Sequence, residues 1–500
     1  MEPDAVLFSR SDSRFVSKNT CMRPLLPNKL PCQPMFPMGL LLCVLSGCST
    51  MTPKYQLDAF SPDDNWHSET GQISDRQATE DMTGWWRKFD DELLNQLVQL
   101  TLANNTDLKT AQLNYQLARL DQKYAKVDGV PSVSATASAS ESISHSSSSE
   151  SFSDGLSASW ELDLWGNLAS AQKSADASVA ASLETLHYSQ VSLIAETASS
   201  YAELRSAQEN LRVIRANIAI QEQSYDFVKW QKEAGISTDL EVIQAETTLE
   251  QTRASLPEYE NTVNQAMNRL WVLTGGLSDG LSRQLREYVA LPAMPASMAL
   301  GIPADTLRQR PDVKAKEFAV KVQAENVVQA GNQRYPSFNL TGSLTGGGTR
   351  VSDLFDLDSF ITRLATSLSY SLFDGGTVKK NMQSQQLQLQ QSLLDYRAAL
   401  LSAREEVENA LGTLSSKQHK QKALQLAEDS ASLALDLANV RYEAGLIDFE
   451  TVLDAQSTLL TAQNELATNR GDILSAWIEL YRSLGGGWQG LTSTTDGLDA

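Results

Sequence analysis

The side chains that most often carry chemistry are few in this 500-residue chain and poorly placed for it. The four histidines, His67, His145, His187 and His419, are scattered and have no metal-ligand spacing. The four cysteines, Cys21, Cys32, Cys43 and Cys48, all fall in the first tenth of the chain. The body therefore holds no disulfide framework, no cysteine metal site and no thiol nucleophile. There is no phosphate-binding glycine loop. Asp353, Asp356 and Asp358 form an acidic loop, but their spacing is not that of a calcium loop, and they read as solvated. The formal charge of −20 argues against a nucleic-acid partner. Neither an enzyme nor a cofactor is expected. One side chain remains a candidate for covalent chemistry, the thiol of Cys48.

Residues 1–47 read as a signal peptide, with a true start at Met22 or Met35. Arg23 and Lys29 precede the apolar run Met38-Gly39-Leu40-Leu41-Leu42-Cys43-Val44, which is too short to span a bilayer as a helix. The run ends in Leu45-Ser46-Gly47-Cys48, which resembles a bacterial lipobox. That resemblance implies cleavage before Cys48, an S-linked diacylglycerol and an N-linked acyl chain, together a stable anchor. Ser49 stands where an Asp would signal inner-membrane retention, so the resemblance favours the outer membrane. No later stretch has eighteen or more consecutive apolar residues, so any crossing of a membrane must be made by a closed barrel.

The elements that follow come in two copies. Glu233-Ala234-Gly235-Ile236, Val242-Ile243-Gln244-Ala245 and Thr248-Leu249 recur 210 residues later as Glu443-Ala444-Gly445-Leu446, Val452-Leu453-Asp454-Ala455 and Thr458-Leu459. A register kept this long without a gap predicts an internal duplication. Each copy is a glycine-centred turn opening a long polar helix, with Gly235 and Gly445 suited to a left-handed cap.

Ahead of each turn the spacing predicts a hairpin and a rod. After Pro131, Val133, Ala135, Ala137 and Ala139 alternate with serine and threonine. After a serine patch at 144–149, Leu156, Ala158, Trp160, Leu162 and Leu164 alternate with polar residues. Pro336 opens a second such hairpin, through Phe338, Leu340 and Leu344 and then Leu364 to Leu372. Strands of about ten residues with one apolar face suit a tilted membrane strand, although a soluble hairpin alternates in the same way. A helical pattern then runs from about Asn167 to Gln231 and from about Thr377 to Arg441, with seven-residue steps at Leu204, Leu211, Ile218 and Tyr225 and at Leu393, Leu400, Val407 and Leu414. Some 65 residues at about 1.5 Å each make a rod of about 100 Å. Leu240–Thr274 and Phe449–Leu484 run back.

The expected layout is a lipidated extended segment at 48–84, a first repeat at 85–276, a linker or equatorial region at 277–302, a second repeat at 303–487 and a flexible tail at 488–500. Within the repeats the hairpins occupy 131–164 and 336–373. One continuous helix is expected from Leu93 to about Asp128, preceded by Trp85-Trp86, which read as packing at a junction or as a ligand platform. The fold class is mainly α with a small membrane β part. Four strands cannot close a barrel, and open edges in lipid are forbidden, so oligomerisation is expected, three copies giving twelve strands.

At this point the chain resembles the TolC-like outer membrane factors, specifically the lipidated NodT/OprM-type channels of tripartite efflux pumps. The matching residues include Trp85-Trp86 to Leu97, Ser159 to Gly166, Ala195-Glu196-Thr197 through Tyr201 to Arg205, Gly301 to Val313, Tyr335-Pro336-Ser337, Leu372 to Gly376 and Arg441 to Gln456. The resemblance implies a homotrimer with a 12-stranded β-barrel continued by a periplasmic α-helical barrel. It implies a periplasmic adaptor protein and an inner-membrane RND-type transporter as partners. It also implies that the turns at Ala234-Gly235 and Ala444-Gly445 face the adaptor, and that Asp454 lies on the inner face near a closed periplasmic tip, where three copies form an anionic ring. Where such channels often carry an apolar residue one turn earlier, this chain has Glu450, which would add a second acidic ring. The rival readings are a duct for type I protein secretion and a coiled-coil structural lipoprotein without a pore.

Overall fold

The computed structural model describes residues 82–295 and 303–489. Cys48, the segment before it and most of the lead-in after it lie outside the described residues.

A 3-10 turn at Trp85–Phe89 leads into α1 (Glu92–Asn104) and α2 (Thr106–Val127). The first hairpin is β1 (Ser132–Ser144) and β2 (Ser147–Glu161), followed by α3 (Asn167–Glu233), α4 (Asp239–Leu273) and α5 (Asp279–Arg286). The second half opens with α6 (Pro303–Gln309) and α7 (Pro311–Asn332) and continues into β3 (Ser337–Gly348) and β4 (Ile361–Ser369). It ends with α8 (Thr377–Glu443) and α9 (Phe449–Ser483). The two rods, α3 and α8, are both 67 residues long, and the two return helices, α4 and α9, are both 35.

The rods start where glycine lets the chain enter a left-handed turn. Gly166 (φ 76°) precedes α3 and Gly376 (φ 82°) precedes α8. Each start also has a carboxylate on its free N–H groups: Asp163 accepts from Ala169 N at 2.8 Å, and Asp374 accepts from Gly376 N and Val378 N at 2.8 Å.

The four strands form one antiparallel sheet in the order β1-β2-β3-β4, so β1 and β4 are open edges. The register sorts the faces as the alternation requires. Leu156 pairs with Ala135 on one side and Leu344 on the other, and Gly342 with Leu364, building an apolar face. On the opposite face Ser132, Ser134 and Ser138 of β1 meet Ser159, Ser157 and Ser153 of β2, hydroxyl to hydroxyl at 2.8 Å each. The apolar face is bare: Val133 is 70% exposed, Leu364 76% and Leu368 66%.

The main core sits where the chain ends meet the rods. Trp85, Phe89, Tyr201, Trp477 and Tyr481 are all buried there, with Trp85 stacked on Tyr481 at 5.0 Å. The tryptophan pair is therefore packing and not an open platform.

Four expectations need correction. The helix predicted from Leu93 to Asp128 is two helices, because Asn105 accepts from Asp107 N and Leu108 N and so caps a new start. The serine patch at 144–149 is largely strand, with only a two-residue turn at 145–146, so β1 and β2 run to 13 and 15 residues. The strands also stop earlier than the alternation suggests: β2 ends at Glu161 and β4 at Ser369. The region after 277 contains α5, an amphipathic helix of about two turns whose Leu281 and Leu285 are buried. Trp488 stacks on His187 at 4.2 Å beneath the Lys314 ammonium, and residues 490–500 of the expected tail lie outside the described residues.

Candidate functional site

The rods reverse at two exposed tips built alike. At the first, Gly235 adopts φ 75°, its N–H reaches Lys232 O at 2.9 Å, and Ile236 N reaches Gln231 O at 2.8 Å. At the second, Gly445 adopts φ 68°, with Gly445 N on Tyr442 O at 2.9 Å and Leu446 N on Arg441 O at 2.9 Å. These paired bonds close a helix C-terminus through a left-handed residue. Ala234 and Ala444 are exposed beside them. A Cβ added at either glycine would meet no atom within 4 Å.

The return helices start differently. Thr238 and Glu241 form a reciprocal capping box on α4, next to a Lys232–Asp239 ion pair. On α9 Asp448 accepts from Thr451 N at 3.1 Å and from its hydroxyl at 2.6 Å, which holds the Asp448 carboxyl below the usual carboxylate range. Behind both turns Val228, Leu435, Phe449 and Val452 form a small buried apolar cluster. The two tips are tied together by Tyr442, whose hydroxyl donates to Gln231 Oε1 at 2.8 Å; burial raises its pKa and keeps it a donor.

Glu450 and Asp454 stand one turn apart on the same exposed face of α9, within the first turns after Gly445. Thr458 continues that face, and its hydroxyl donates to Asp454 O at 2.8 Å. The structure thus brings the two carboxylates together and sets them beside the joined tips. Among the described residues no group of His, Cys, Asp and Glu could hold a metal ion, and no helix is long and apolar enough to cross a membrane.

Two tethers escaped the sequence reading. Asn105 Nδ2 donates to Leu273 O, the last carbonyl of α4, at 3.0 Å. Arg310 Nη1 donates to Ser483 O, the last carbonyl of α9, at 2.6 Å, while its other nitrogens hold Asp312 (3.0 and 2.8 Å) and Glu406 (2.9 Å). Asn105 and Arg310 lie 205 residues apart, as do Pro131 and Pro336, and a comparison of Asn105-Thr106-Asp107 with Arg310-Pro311-Asp312 at that offset was the signal that could have found them. Nearby, buried Arg205 binds Glu287 O at 2.9 Å and Tyr201 OH at 3.0 Å, and Tyr201 donates to Asp91 at 2.6 Å. Burial, reinforced by Asp91, pushes the Tyr201 phenol far above its ordinary range. These bonds fix the ends of the return helices, beside the middle of the rods, and leave the tips as the free ends.

The four-stranded sheet, exposed over much of its surface and open at both edges, is joined to two pairs of very long helices. A model of the outer membrane efflux protein family matches residues 97–276 and 302–486. The outer membrane protein OprJ of Pseudomonas aeruginosa is 29% identical over 468 residues, which cover 91% of this chain and 97% of OprJ. SilC of Salmonella typhimurium, described as a probable outer membrane lipoprotein, is 26% identical over 412 residues, covering 79% of this chain and 87% of SilC. Among solved structures, the outer-membrane channel OprN superposes with a TM-score of 0.79 at 29% identity, over 88% of this chain and all of OprN. The chain belongs to the outer membrane efflux protein family. That membership places it in the outer membrane, with its helices extending into the periplasm.

Proposed function

We propose that three copies of this chain assemble into the exit duct of a tripartite efflux system, and that the duct passively conducts small molecules delivered by an inner-membrane RND-type transporter through a periplasmic adaptor. The observation that carries this reading is the four-stranded sheet with two open edges and no core of its own. Open edges and exposed apolar side chains are stable in a membrane only if the sheet closes on further copies. The helices next to those edges are equally unfinished. α2, which leads to edge β1, exposes Leu113, Leu117, Leu120 and Tyr124 at helical spacing. α8, which follows edge β4, exposes Leu387, Leu394 and Leu401 at a heptad step. Stripes of this kind fit the neighbouring copy's rods. Three protomers give a 12-stranded barrel continued by a helical one, and the 210-residue repeat reads as an internal duplication that doubles the passes per chain.

Cys48 carries the lipid anchor in this reading, and Asp454 with Glu450 forms acidic rings at the periplasmic gate. The purified chain should be a trimer by light scattering in detergent and should give stepwise ion conductance in planar bilayers. A stable monomer, or a trimer without conductance, would overturn the proposal.

Ala234, Gly235, Ala444 and Gly445 face the adaptor. Beside them Ile236 and Leu446, 76% and 73% exposed, give each tip an apolar contact. Gly235→Leu combined with Gly445→Leu should keep the trimer, since a Cβ meets nothing there and the left-handed strain is only about 1–2 kcal/mol per site. Export should fall to the level of a gene deletion, read as drug susceptibility. Wild-type susceptibility with both leucines in place would remove the tips from the adaptor interface.

A further inference from the structure

The strand register fixes which side chains share a face of the sheet. Opposite the apolar face, Ser134 pairs with Ser157, Ser157 with Ser343 and Ser343 with Arg363, so these four stand in one row. On β1 and β2 that face is serine at every position except Thr136, Gly155 and Glu161. On β3 and β4 every strand residue of the face is uncharged apart from Arg363. A wall of hydroxyls thus carries two charges, Glu161 at the end next to the rods and Arg363 two rows further from them. Arg363 is exposed, and no ion pair involves it among the described residues.

In the channel reading above, β4 closes on β1 of the next copy and the polar face turns to the lumen. On that face β1 offers only serine and Thr136, from Ser132 to Ser144. Any register that keeps the faces aligned therefore sets a hydroxyl, and no carboxylate, beside Arg363. The guanidinium stays unpaired in the closed barrel, with a planar fork of N–H donors that matches carboxylate, sulfonate and phosphate oxygens. Three copies put three guanidiniums at one level. The wall of a twelve-stranded barrel lies about 12 Å from its axis, and side chains reaching inward bring the charges within about 10 Å of it. That distance is no more than the Debye length at about 0.1 M salt. A monovalent anion should be enriched at this level about two- to three-fold, and a tetravalent one at least about ten-fold, because the exponent scales with charge.

We propose that Arg363, beside the Ser343 hydroxyl, forms an anion-binding level in the barrel lumen, and that its ligands are organic anions bearing carboxylate, sulfonate or phosphate groups on their way out. Its sign is opposite to that of the acidic rings proposed at Glu450 and Asp454. The inference rests on the channel reading above.

The test uses the full chain in planar bilayers at about 0.1 M salt, with pyrenetetrasulfonate as the probe. The long polar rods cannot cross the bilayer, so the chamber that receives the protein is the tip side. The tetra-anion should block wild-type current from the opposite chamber. Arg363→Ser replaces an exposed residue by the commonest residue of the wall, so trimer yield and single-channel conductance should stay near wild type. The half-blocking concentration should rise at least about ten-fold. An unchanged half-blocking concentration in Arg363→Ser would overturn the proposal. A second arm needs no current. The body has no cysteine, so Ser343→Cys places a single thiol across from Arg363. In detergent-purified protein that thiol should react with a sulfonate-bearing methanethiosulfonate, relative to a trimethylammonium-bearing one, several-fold faster than it does when Arg363→Ser is added. Equal ratios in the two backgrounds would overturn the proposal whether or not the wild type conducts, whereas a wild type without conductance would overturn the channel reading itself.

Discussion

Neutralising the two tip carboxylates together, Asp454→Asn with Glu450→Gln, is expected to reduce the cation preference of the open channel by several-fold to about ten-fold at low salt. In a trimer the pair contributes six negative charges around one axis. A unit charge about 10 Å from a permeating ion contributes about 0.4 kcal/mol in water, so six contribute about 2.5 kcal/mol before screening. At about 0.1 M salt the Debye length is itself about 10 Å, which trims the effect to roughly half. The sign follows from the charge: the rings stabilise cations and exclude anions, so the variant shifts the reversal potential toward that of an unselective pore. The difference should fade at 1 M salt, where the screening length is about 3 Å. Both carboxylates are exposed on α9 and no ion pair involves them among the described residues, so the trimer should form as in the wild type. An unchanged permeability ratio at low salt would remove both residues from the pore axis.

Arg310→Leu is expected to cost about 2–4 kcal/mol of stability. Arg310 is 2% exposed and ends α9 by binding Ser483 O, while its fork holds Asp312 and Glu406. Removing one member of a buried charged cluster leaves the others without their partner, and losses of about 3–5 kcal/mol are usual. Here Asp312 and Glu406 remain about a third exposed and regain water, which lowers the figure. Asn105→Ala removes the matching neutral tether on α4 and should cost about 1–2 kcal/mol. Denaturant melts of the purified protein would rank the two. Equal losses, or an Arg310 variant within about 1 kcal/mol of wild type, would mean that the ends of the return helices are held by the aromatic core alone.

Much of the fold is legible in the chain because glycine marks its reversals. Gly166, Gly376, Gly235 and Gly445 all take positive φ, and the rods begin or end at each of them, within two residues of the boundaries read from sequence. The helix break at Asn105 was hidden because apolar spacing continues through it, from Leu97 to Leu108, and only the capping bonds reveal the new start. The serine patch looked like a loop because serine is common in turns, yet its hydroxyls can pair across strands, and Ser144 meets Ser147 at 3.3 Å. Trp488 follows three glycines, and its partner His187 lies 301 residues upstream, beyond any local pattern. The candidate site divides in the same way. The tips follow from repetition, whereas Asp454 and Glu450 are singled out only by the family resemblance, and helical period then puts both on one face. The Tyr442–Gln231 tie and the Asn217–Gln463 bond do not, since asparagine and glutamine on a helix read as a wetted face until the opposing helix is in place.

The proposed role of this chain is the outer duct of an efflux system. The most direct measurement is the accumulation of a fluorescent drug-like dye in the native host with and without the gene. Accumulation should rise on deletion, return to the wild-type level with the intact gene, and stay high with the Gly235→Leu/Gly445→Leu chain. Unchanged accumulation on deletion, with related channels also removed, would contradict the account and point to a duct for secreted proteins.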